Sequence, residues 1–417
     1  MRLSLKVPAA LLPGVLAAAL AAVPARADIV SDWNAKAETI IVEKQITPGS
    51  AGRHVALMHL AVFEAVNAIE RRYAPYKLNL TAERTVSKEA AAAAAAHAVL
   101  VAIHPERQAA LDSELAASLA PIADGVAKGK GIELGKKAAA EILALRADDG
   151  FEAPESYRPH TSPGAYVPTV VPVFSQLTKA TPWVMTSPAQ FRPAPPPALT
   201  SETWTKDLNE IRVVGSRNSA ARTAEQTEIA RFWLMTGPRS YNPIVRQLAA
   251  AKELDVVDCA RLFTLVAMAA SDAFIAVIDG KYAYNLWRPV TAIRNADITG
   301  NPATPREASW LPVGDTPMHP EYPCAHCITS SAVGAVLTSV LGDNVPEFSL
   351  TSTTLPGVTR KWTRIQDYNE EVALARIYAG FHYRFSTQVG SDMGRKIGEL
   401  VATTQLRGAM ALAAPPR

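Results

Sequence analysis

Apolar residues recur along most of this chain with the period of an α-helix. They lie three or four positions apart over 51–73, 109–119 and 128–146. Between these stretches, 87–103 contains seven consecutive alanines, from Ala90 to Ala96, and alanine is the strongest helix former. The first part of the chain is therefore predicted to be helical.

A second helical part follows a segment rich in proline. Eleven prolines fall between Asp149 and Trp204, so no continuous helix can run there. The aromatic residues among them favour an ordered loop over a flexible linker, which would leave them in solvent. Helical spacing resumes at Ser201, a predicted N-cap, and returns over 223–235, 242–252, 255–287, 328–341, 367–380 and 387–404. Because strand alternation is absent, we predict an all-α fold.

The first 27 residues have the pattern of a secretory signal peptide. Arg2 and Lys6 precede an apolar run over 7–23, and Ala25-Arg26-Ala27 supplies a cleavage site. The alternative, a retained membrane anchor, is disfavoured by the shortness of the run. We expect an exported protein, periplasmic or secreted, with no membrane span after cleavage. Its expected parts are a leader (1–27), an N-terminal helical region (28–150), the proline-rich loop (151–203) and a second helical region (204–417).

Charge and cysteine content exclude several classes of protein. The chain has 42 basic and 39 acidic residues, and cleavage would remove three basic residues and no acidic one, leaving 39 of each. This balance gives no argument for nucleic acid as a partner. Three cysteines, Cys259, Cys324 and Cys327, are too few for a disulfide scaffold.

Three segments in the last third of the chain carry the candidate chemistry. Lys281 and Arg288 are seven residues apart and precede a proline, which predicts one helical face that ends at Arg288. His326 lies just before a predicted helix, where backbone N–H groups point at anions. Arg376 and His382 flank a glycine at which their helix can end. Singly these residues are more often surface cations and structural histidines, but together they suit a tetrahedral anion such as phosphate or vanadate.

In order and spacing, the segments resemble the three signatures of vanadium-dependent haloperoxidases and the type 2 phosphatidic acid phosphatase superfamily. These are Lys-x6-Arg-Pro, Pro-Ser-Gly-His and Ser-Arg-x5-His-x3-Asp, and the resemblance covers 281–386. The stretch 61–70 is also similar to the N-terminal helix of bacterial haloperoxidase-like members. The resemblance implies two four-helix bundles that frame the anion. It implies acid–base catalysis by His326, a vanadate ligand or phosphatase nucleophile in His382, and oxyanion contacts from Lys281, Arg288, Arg376 and Ala325.

The chain departs from these signatures at several positions. Cys324 and Ala325 replace the Ser and Gly before His326, and Ser386 replaces the Asp that orients the ligand histidine. Loss of that carboxylate is expected to weaken a phosphohistidine mechanism more than vanadate ligation, for which a hydroxyl can position the imidazole. His319 stands where algal bromoperoxidases carry His and chloroperoxidases carry Phe, and simple loop packing is its alternative role.

The resemblance implies a haloperoxidase that uses vanadate and hydrogen peroxide to oxidise a halide, with a small organic acceptor. A periplasmic acid phosphatase is the alternative; it would bind phosphate and cleave a phosphomonoester through a phosphohistidine. A non-catalytic phosphate binder is a third possibility. Cys324 and Cys327 also fit a thiol oxidoreductase motif or half of a zinc site, but an α/β unit and a second cysteine pair are lacking. Whether these two thiols are oxidised, which halide is used and the oligomeric state are left open.

Overall fold

The computed structural model describes residues 28–168 and 170–408, so the predicted leader lies outside it. Most of these residues are helical, which confirms the all-α class. The helices are α1 (Ile29–Glu43), α2 (Pro48–Glu70), α3 (Lys88–Ile103), α4 (Gln108–Leu119), α5 (Val126–Leu145), α6 (Glu202–Val214), α7 (Ala224–Phe232), α8 (Asn242–Ala251), α9 (Val256–Tyr284), α10 (Pro289–Arg294), α11 (Ala325–Leu341), α12 (Ile365–Tyr378) and α13 (Arg384–Thr404). The strands are β1 (Asn344–Ser352) and β2 (Leu355–Arg364).

Helix α9 lies between two groups of helices. Helices α2, α3 and α5 pack together and α2 lies along α9, while α11 and α13 pack against α9 and against α12. Helix α9 thus contacts both groups, the first through α2 and the second through α11 and α13. Helix α9 has the length and apolar composition of a membrane span, but 94% of its most apolar window is buried inside the protein.

Small residues allow two helix pairs to approach closely. A Cβ atom at Gly135 of α5 would lie 2.3 Å from the Ala91 carbonyl oxygen, within the alanine run of α3. A Cβ atom at Gly394 of α13 would lie 2.1 Å from the Ile328 carbonyl oxygen on α11. Both distances are far below van der Waals contact, so only glycine fits. The second contact fixes the first turns of α11, which belong to the candidate site.

The proline-rich loop is ordered and lies on the helices, as predicted. The Asp272 carboxylate on α9 accepts hydrogen bonds from the backbone N–H groups of Trp183, Val184 and Met185 at 2.7, 2.8 and 2.9 Å. The Trp183 indole, 3% exposed, donates to the Ser271 hydroxyl at 2.9 Å. Within its described part, the loop contains one 3-10 helix, Ser175–Lys179.

The hairpin of β1 and β2 is the main element that the sequence analysis missed. Phe348 pairs with Trp362 across the hairpin, and both side chains are buried against Tyr368 of α12. The register shifts between residues 344 and 348 and again between 351 and 352. These irregularities interrupt the alternation of buried and exposed residues, so the period of two on which strand prediction depends is lost.

Candidate oxyanion site

The first motif segment forms a turn between two helices. Helix α9 ends at Tyr284, Asn285 is left-handed with φ 51°, and Arg288 is the N-cap of α10. The prediction of a shared helical face for Lys281 and Arg288 was therefore wrong. Pro289 is the first residue of α10, a position that tolerates its missing N–H group, so it starts a helix where we expected it to end one.

Lys281 is directed at the loop that precedes α11. Its ammonium group donates to the carbonyl oxygens of Pro320, Glu321 and Pro323, the first two at 3.0 and 2.7 Å. An ammonium group has three donors, so all of them are engaged. In this arrangement Lys281 fixes the loop and contributes positive charge, and its predicted direct contact with the anion stays a prediction.

Arg288 joins the loop to the third motif segment. Its Nε donates to the His319 carbonyl oxygen at 2.9 Å, and its Nη2 lies 3.0 Å from His319 Nδ1. Its Nη1 donates to the Phe381 carbonyl oxygen at 3.2 Å and lies 3.3 Å from His382 Nε2. Because a guanidinium only donates, His382 Nε2 faces it as an acceptor without a proton, whereas His319 Nδ1 lies between this donor and the Pro320 carbonyl oxygen, 3.2 Å away. His319 thus positions Arg288 as well as lining the site.

His382 is oriented by a carboxylate that the sequence analysis did not identify. The segment containing Arg376 and His382 behaves as predicted: α12 ends at Tyr378, and Gly380 is left-handed with φ 80°. His382 Nδ1 then lies 2.8 Å from Glu321 Oε1, and both side chains are at most 1% exposed. The same oxygen accepts the Tyr383 N–H at 3.1 Å. Nδ1 therefore carries the imidazole proton, and Nε2 keeps its lone pair.

Glu321 takes over the task that the family signature gives to the residue four positions after the histidine. That position is Ser386, whose buried hydroxyl has no partner with hydrogen-bond geometry among the described residues. Burial raises the pKa of Glu321 to about 7, although the charges of Lys281 and Arg288 act to lower it. The expectation that Ser386 assists the imidazole in the absence of a carboxylate was wrong. The inference against a phosphohistidine falls with it, because a carboxylate on Nδ1 supports either chemistry. A glutamate five residues before His326 was visible in the sequence, but no periodicity connects it with His382.

Arg376 brings an incompletely bonded guanidinium to the site. Its Nη1 donates to the Trp233 carbonyl oxygen at 2.7 Å, and its central carbon lies 4.8 Å from the centre of the Phe381 ring. Its Nε is buried and has no partner among the described residues. A buried N–H group without an acceptor costs free energy, which a bound oxyanion would offset.

The second motif segment forms the N-terminus of α11. Ala325 is the first helical residue, and Cys324, the N-cap, is joined to Cys327 by a disulfide bond. This resolves the open question about these thiols, and leaves Cys259 as a buried thiol. His326 Nε2 donates to the Met235 carbonyl oxygen at 3.1 Å, so Nδ1 is its basic nitrogen. The first amides of α11, including that of Ala325, lie at the positive end of the helix dipole.

Part of this set lines one cavity of about 110 Å³, and Lys281, Arg288 and Glu321 are not among its lining residues. Ala325, His326, Arg376, His319 and His382 all contribute to it. The remaining wall is mostly apolar and aromatic, formed by Phe174, Trp233, Tyr241, Phe274 and Tyr368 among others. The site is therefore a small basic centre enclosed by an apolar wall.

The site carries an excess of buried positive charge. Lys281, Arg288 and Arg376 are at most 2% exposed, and none of them forms a salt bridge with a described residue. Burial lowers the pKa of all three cations: that of Arg288 falls to about 10 and that of Arg376 to about 9. The charge of Arg288 lowers the pKa of Arg376 further. Burial and these cations lower the pKa of His382, so its imidazole is neutral. Uncompensated buried cations are costly, and a bound anion would remove that cost.

Comparison with known proteins finds similar chains and a matching family model. The family model for the second helical-bundle domain of VCPO matches residues 261–408. The vanadium chloroperoxidase of Curvularia inaequalis is 27% identical over 238 residues, which are 42% of this chain and 38% of that protein. The chain thus matches less than half of the length of this relative.

Solved structures extend the likeness over most of the chain. The first bacterial vanadium-dependent iodoperoxidase superposes with a TM-score of 0.79 at 28% identity, over 91% of this chain and 97% of the other. The apo form of a bacterial vanadium-dependent chloroperoxidase has a TM-score of 0.70 at 18% identity, over 85% and 92% of the two chains, and shows the fold alone.

Fold and site together define an all-helical enzyme with a buried oxyanion centre. The three motif segments, the matched second bundle and the solved relatives together support the superfamily of vanadium-dependent haloperoxidases and type 2 phosphatidic acid phosphatases.

Proposed function

We propose that this protein is a vanadate-dependent haloperoxidase, which uses hydrogen peroxide to oxidise a halide. The observation that carries the proposal is a neutral imidazole, His382, with its Nε2 lone pair beside buried cations that lack an anionic partner. Relatives named as vanadium chloroperoxidase and iodoperoxidase support this choice within the superfamily. They differ in halide, so the halide of this chain is not assigned.

The donor set fits vanadate. His382 Nε2 would be the ligand, since Glu321 holds the proton on Nδ1 and fixes the ring orientation. The partnerless Nε of Arg376 and the first amides of α11 would donate to the vanadate oxygens. When bound, vanadate supplies a Lewis-acidic centre that activates hydrogen peroxide toward halide.

The residues of the chain then have distinct tasks. Lys281 and Arg288 hold the loop and the His382 segment through backbone carbonyl groups, and their charges stabilise an anion. His326 Nδ1 accepts or returns a proton at a bound oxygen, because its Nε2 is held by the Met235 carbonyl. The apolar wall lowers the local dielectric and strengthens each of these interactions.

The alternative is an acid phosphatase that acts through a phosphohistidine on His382. Glu321 favours it, because a carboxylate on Nδ1 makes Nε2 a better nucleophile. The cavity of about 110 Å³ disfavours it, since most small-molecule sites occupy roughly 300–1,000 Å³ and an organic phosphomonoester needs such space. We retain the phosphatase as the second candidate.

A paired assay tests the proposal. Protein stripped of anions and reloaded with vanadate is assayed for peroxide-dependent oxidation of iodide and bromide, and vanadate-free protein is given a chromogenic phosphomonoester. We expect halide oxidation that requires vanadate, disappears in His382→Ala and is retained in His160→Ala, an exposed histidine that does not line the cavity. Phosphatase turnover inhibited by vanadate would make the alternative correct, and silence in both assays would leave a phosphate-binding protein.

We also propose that the protein acts after export. The basic start, apolar run and small-x-small site of residues 1–27 support this proposal, and these residues lie outside the described structure. N-terminal sequencing of protein from the native cell envelope or medium should give Asp28 as the first residue. Mature protein that begins at Met1 would contradict it.

A further inference from the structure

Phe174 is the one residue of the described proline-rich loop that lines the oxyanion cavity. Its ring lies 5.2 Å from the Phe274 ring, edge to face, and 6.3 Å from the His319 ring, measured between centroids. The residue is partly exposed, whereas His319, Arg376 and His382 are buried. The ring therefore stands between solvent and the groups that bind the anion.

The backbone of Phe174 is held in an unfavourable conformation. Its φ of 75° and ψ of 4° lie in the left-handed region, which residues with a Cβ atom rarely adopt. Strain of this kind persists where surrounding contacts impose it, and it is concentrated at functional sites.

Neighbouring residues fix the loop on both sides of Phe174. The Val173 N–H donates to the Met318 carbonyl oxygen at 3.1 Å, and the Tyr282 hydroxyl donates to the Val173 carbonyl oxygen at 2.6 Å. On the other side, the Ser175 N–H donates to the Glu155 carboxylate at 3.0 Å. The first of these bonds joins the loop to the segment that carries His319, and the second joins it to α9. The position of the ring is thus set by the structure around it.

We infer that Phe174 is the specificity-determining residue that limits the oxyanion site to small inorganic anions. This inference rests on the proposed oxyanion site. A cavity of about 110 Å³ is small beside the roughly 300–1,000 Å³ of most small-molecule sites, which suits a tetraoxo anion better than an anion that carries an aromatic ring. Removal of the Phe174 ring opens the cavity on its solvent side. In the wild type, halide and peroxide pass the Phe174 ring, and oxyanions that carry an aromatic ring are excluded by it.

Calorimetric titration with inorganic phosphate, methylphosphonate and phenylphosphonate tests this inference on vanadate-free protein. These probes share the oxyanion head and differ in size, and the phosphonates cannot be hydrolysed as esters. Phe174→Gly removes the ring and suits the positive φ, so the fold should be kept. Phe174→Ala is the second deletion, and Phe191→Ala is the matched control, because Phe191 lies on the same loop outside the cavity.

For the wild type we expect phosphate to bind at least about tenfold more tightly than phenylphosphonate, as overpacking a closed site requires. Both Phe174 variants should reduce this ratio at least about tenfold and leave phosphate affinity within about twofold, while Phe191→Ala retains the wild-type ratio. Equal binding of phosphate and phenylphosphonate by the wild type, or an unchanged affinity ratio in the Phe174 variants, would overturn the inference about Phe174 and leave the oxyanion site standing. A wild type that binds no phosphate would refute the oxyanion site itself, and this inference with it.

Discussion

Moving the carboxylate from residue 321 to residue 386 tests how the His382 imidazole is oriented. Glu321→Gln preserves the side-chain shape and removes the charge that keeps the imidazole proton on Nδ1. Vanadate affinity should fall because a partner of this kind typically contributes about 10–100-fold to metal affinity, or about 1.4–2.7 kcal/mol. Phosphate forms no bond to Nε2, so its affinity should not fall. The ratio of vanadate to phosphate affinity is therefore the informative quantity.

Ser386→Asp restores the carboxylate of the family signature and should act in opposite directions in two backgrounds. In the wild type it places a second carboxylate beside the buried Glu321, and the repulsion should lower the melting temperature. In Glu321→Gln it supplies the missing charge and should recover much of the vanadate affinity. The two substitutions should therefore be coupled by about 0.5–3 kcal/mol, the usual range for residues in contact.

Equilibrium dialysis with each anion, and thermal unfolding of the four proteins, measure these quantities without an activity assay. Glu64→Gln is the control, since this buried carboxylate accepts backbone N–H groups of residues 76–78 and does not line the cavity. If Glu321→Gln lowers both affinities equally, the variant has damaged the pocket and the proposed orientation of His382 is refuted. If the effects of the two substitutions on vanadate affinity and melting temperature are additive in the double variant, the idea that Glu321 has taken over the role of the signature Asp is refuted.

Further predictions concern the packing and stability of the scaffold. Gly394→Ala should lower the free energy of unfolding by at least about 1–3 kcal/mol, because its Cβ would lie 2.1 Å from a carbonyl oxygen of α11. The control Gly129→Ala, which has open space around it, should be neutral or stabilising, and urea denaturation measures both. Burial raises the pKa of Asp272 from its ordinary 3.8 to about 6, so its neutral form favours folding, and this contribution of about 3 kcal/mol is lost as pH rises between these values. The stability difference between the wild type and Asp272→Asn should change over that pH range, and a constant difference would contradict the shift. Replacing Cys324 and Cys327 by serine should cost about 2 kcal/mol, from the loop entropy of a short ring, and an unchanged melting temperature would show that the bond contributes nothing.

Local signals in the sequence predicted most of the fold. Ser201 was predicted as an N-cap, and its side chain accepts a backbone N–H of its helix as expected. The break after Arg376 was predicted because a glycine can adopt the left-handed conformation found at Gly380. Each of these features depends on residues within about one helical turn.

Features that depend on distant residues were missed. The turn at Asn285 is left-handed without glycine, so the α9 pattern gave no reason to end at Tyr284. Helix α1, which the sequence analysis did not predict, is largely buried against other elements, so tertiary packing stabilises it. In the site, the partners of Lys281 and Arg288 are backbone carbonyl groups about 30 to 90 residues away. Composition does not encode such partners.

The departures from the family signature are better understood as an exchange than as decay. A chain that no longer needed an oriented imidazole could lose the signature Asp without replacing it, and its His382 would then lack a buried carboxylate. Here the buried Glu321 bonds Nδ1 from another segment, and Lys281 fixes the backbone of that same residue. Keeping an ionisable carboxylate at zero exposure carries a desolvation cost that burial alone does not repay. The bonds to His382 Nδ1 and the Tyr383 N–H and the charges of Lys281 and Arg288 offset that cost, and the bond to His382 orients an imidazole that a passive phosphate binder does not need.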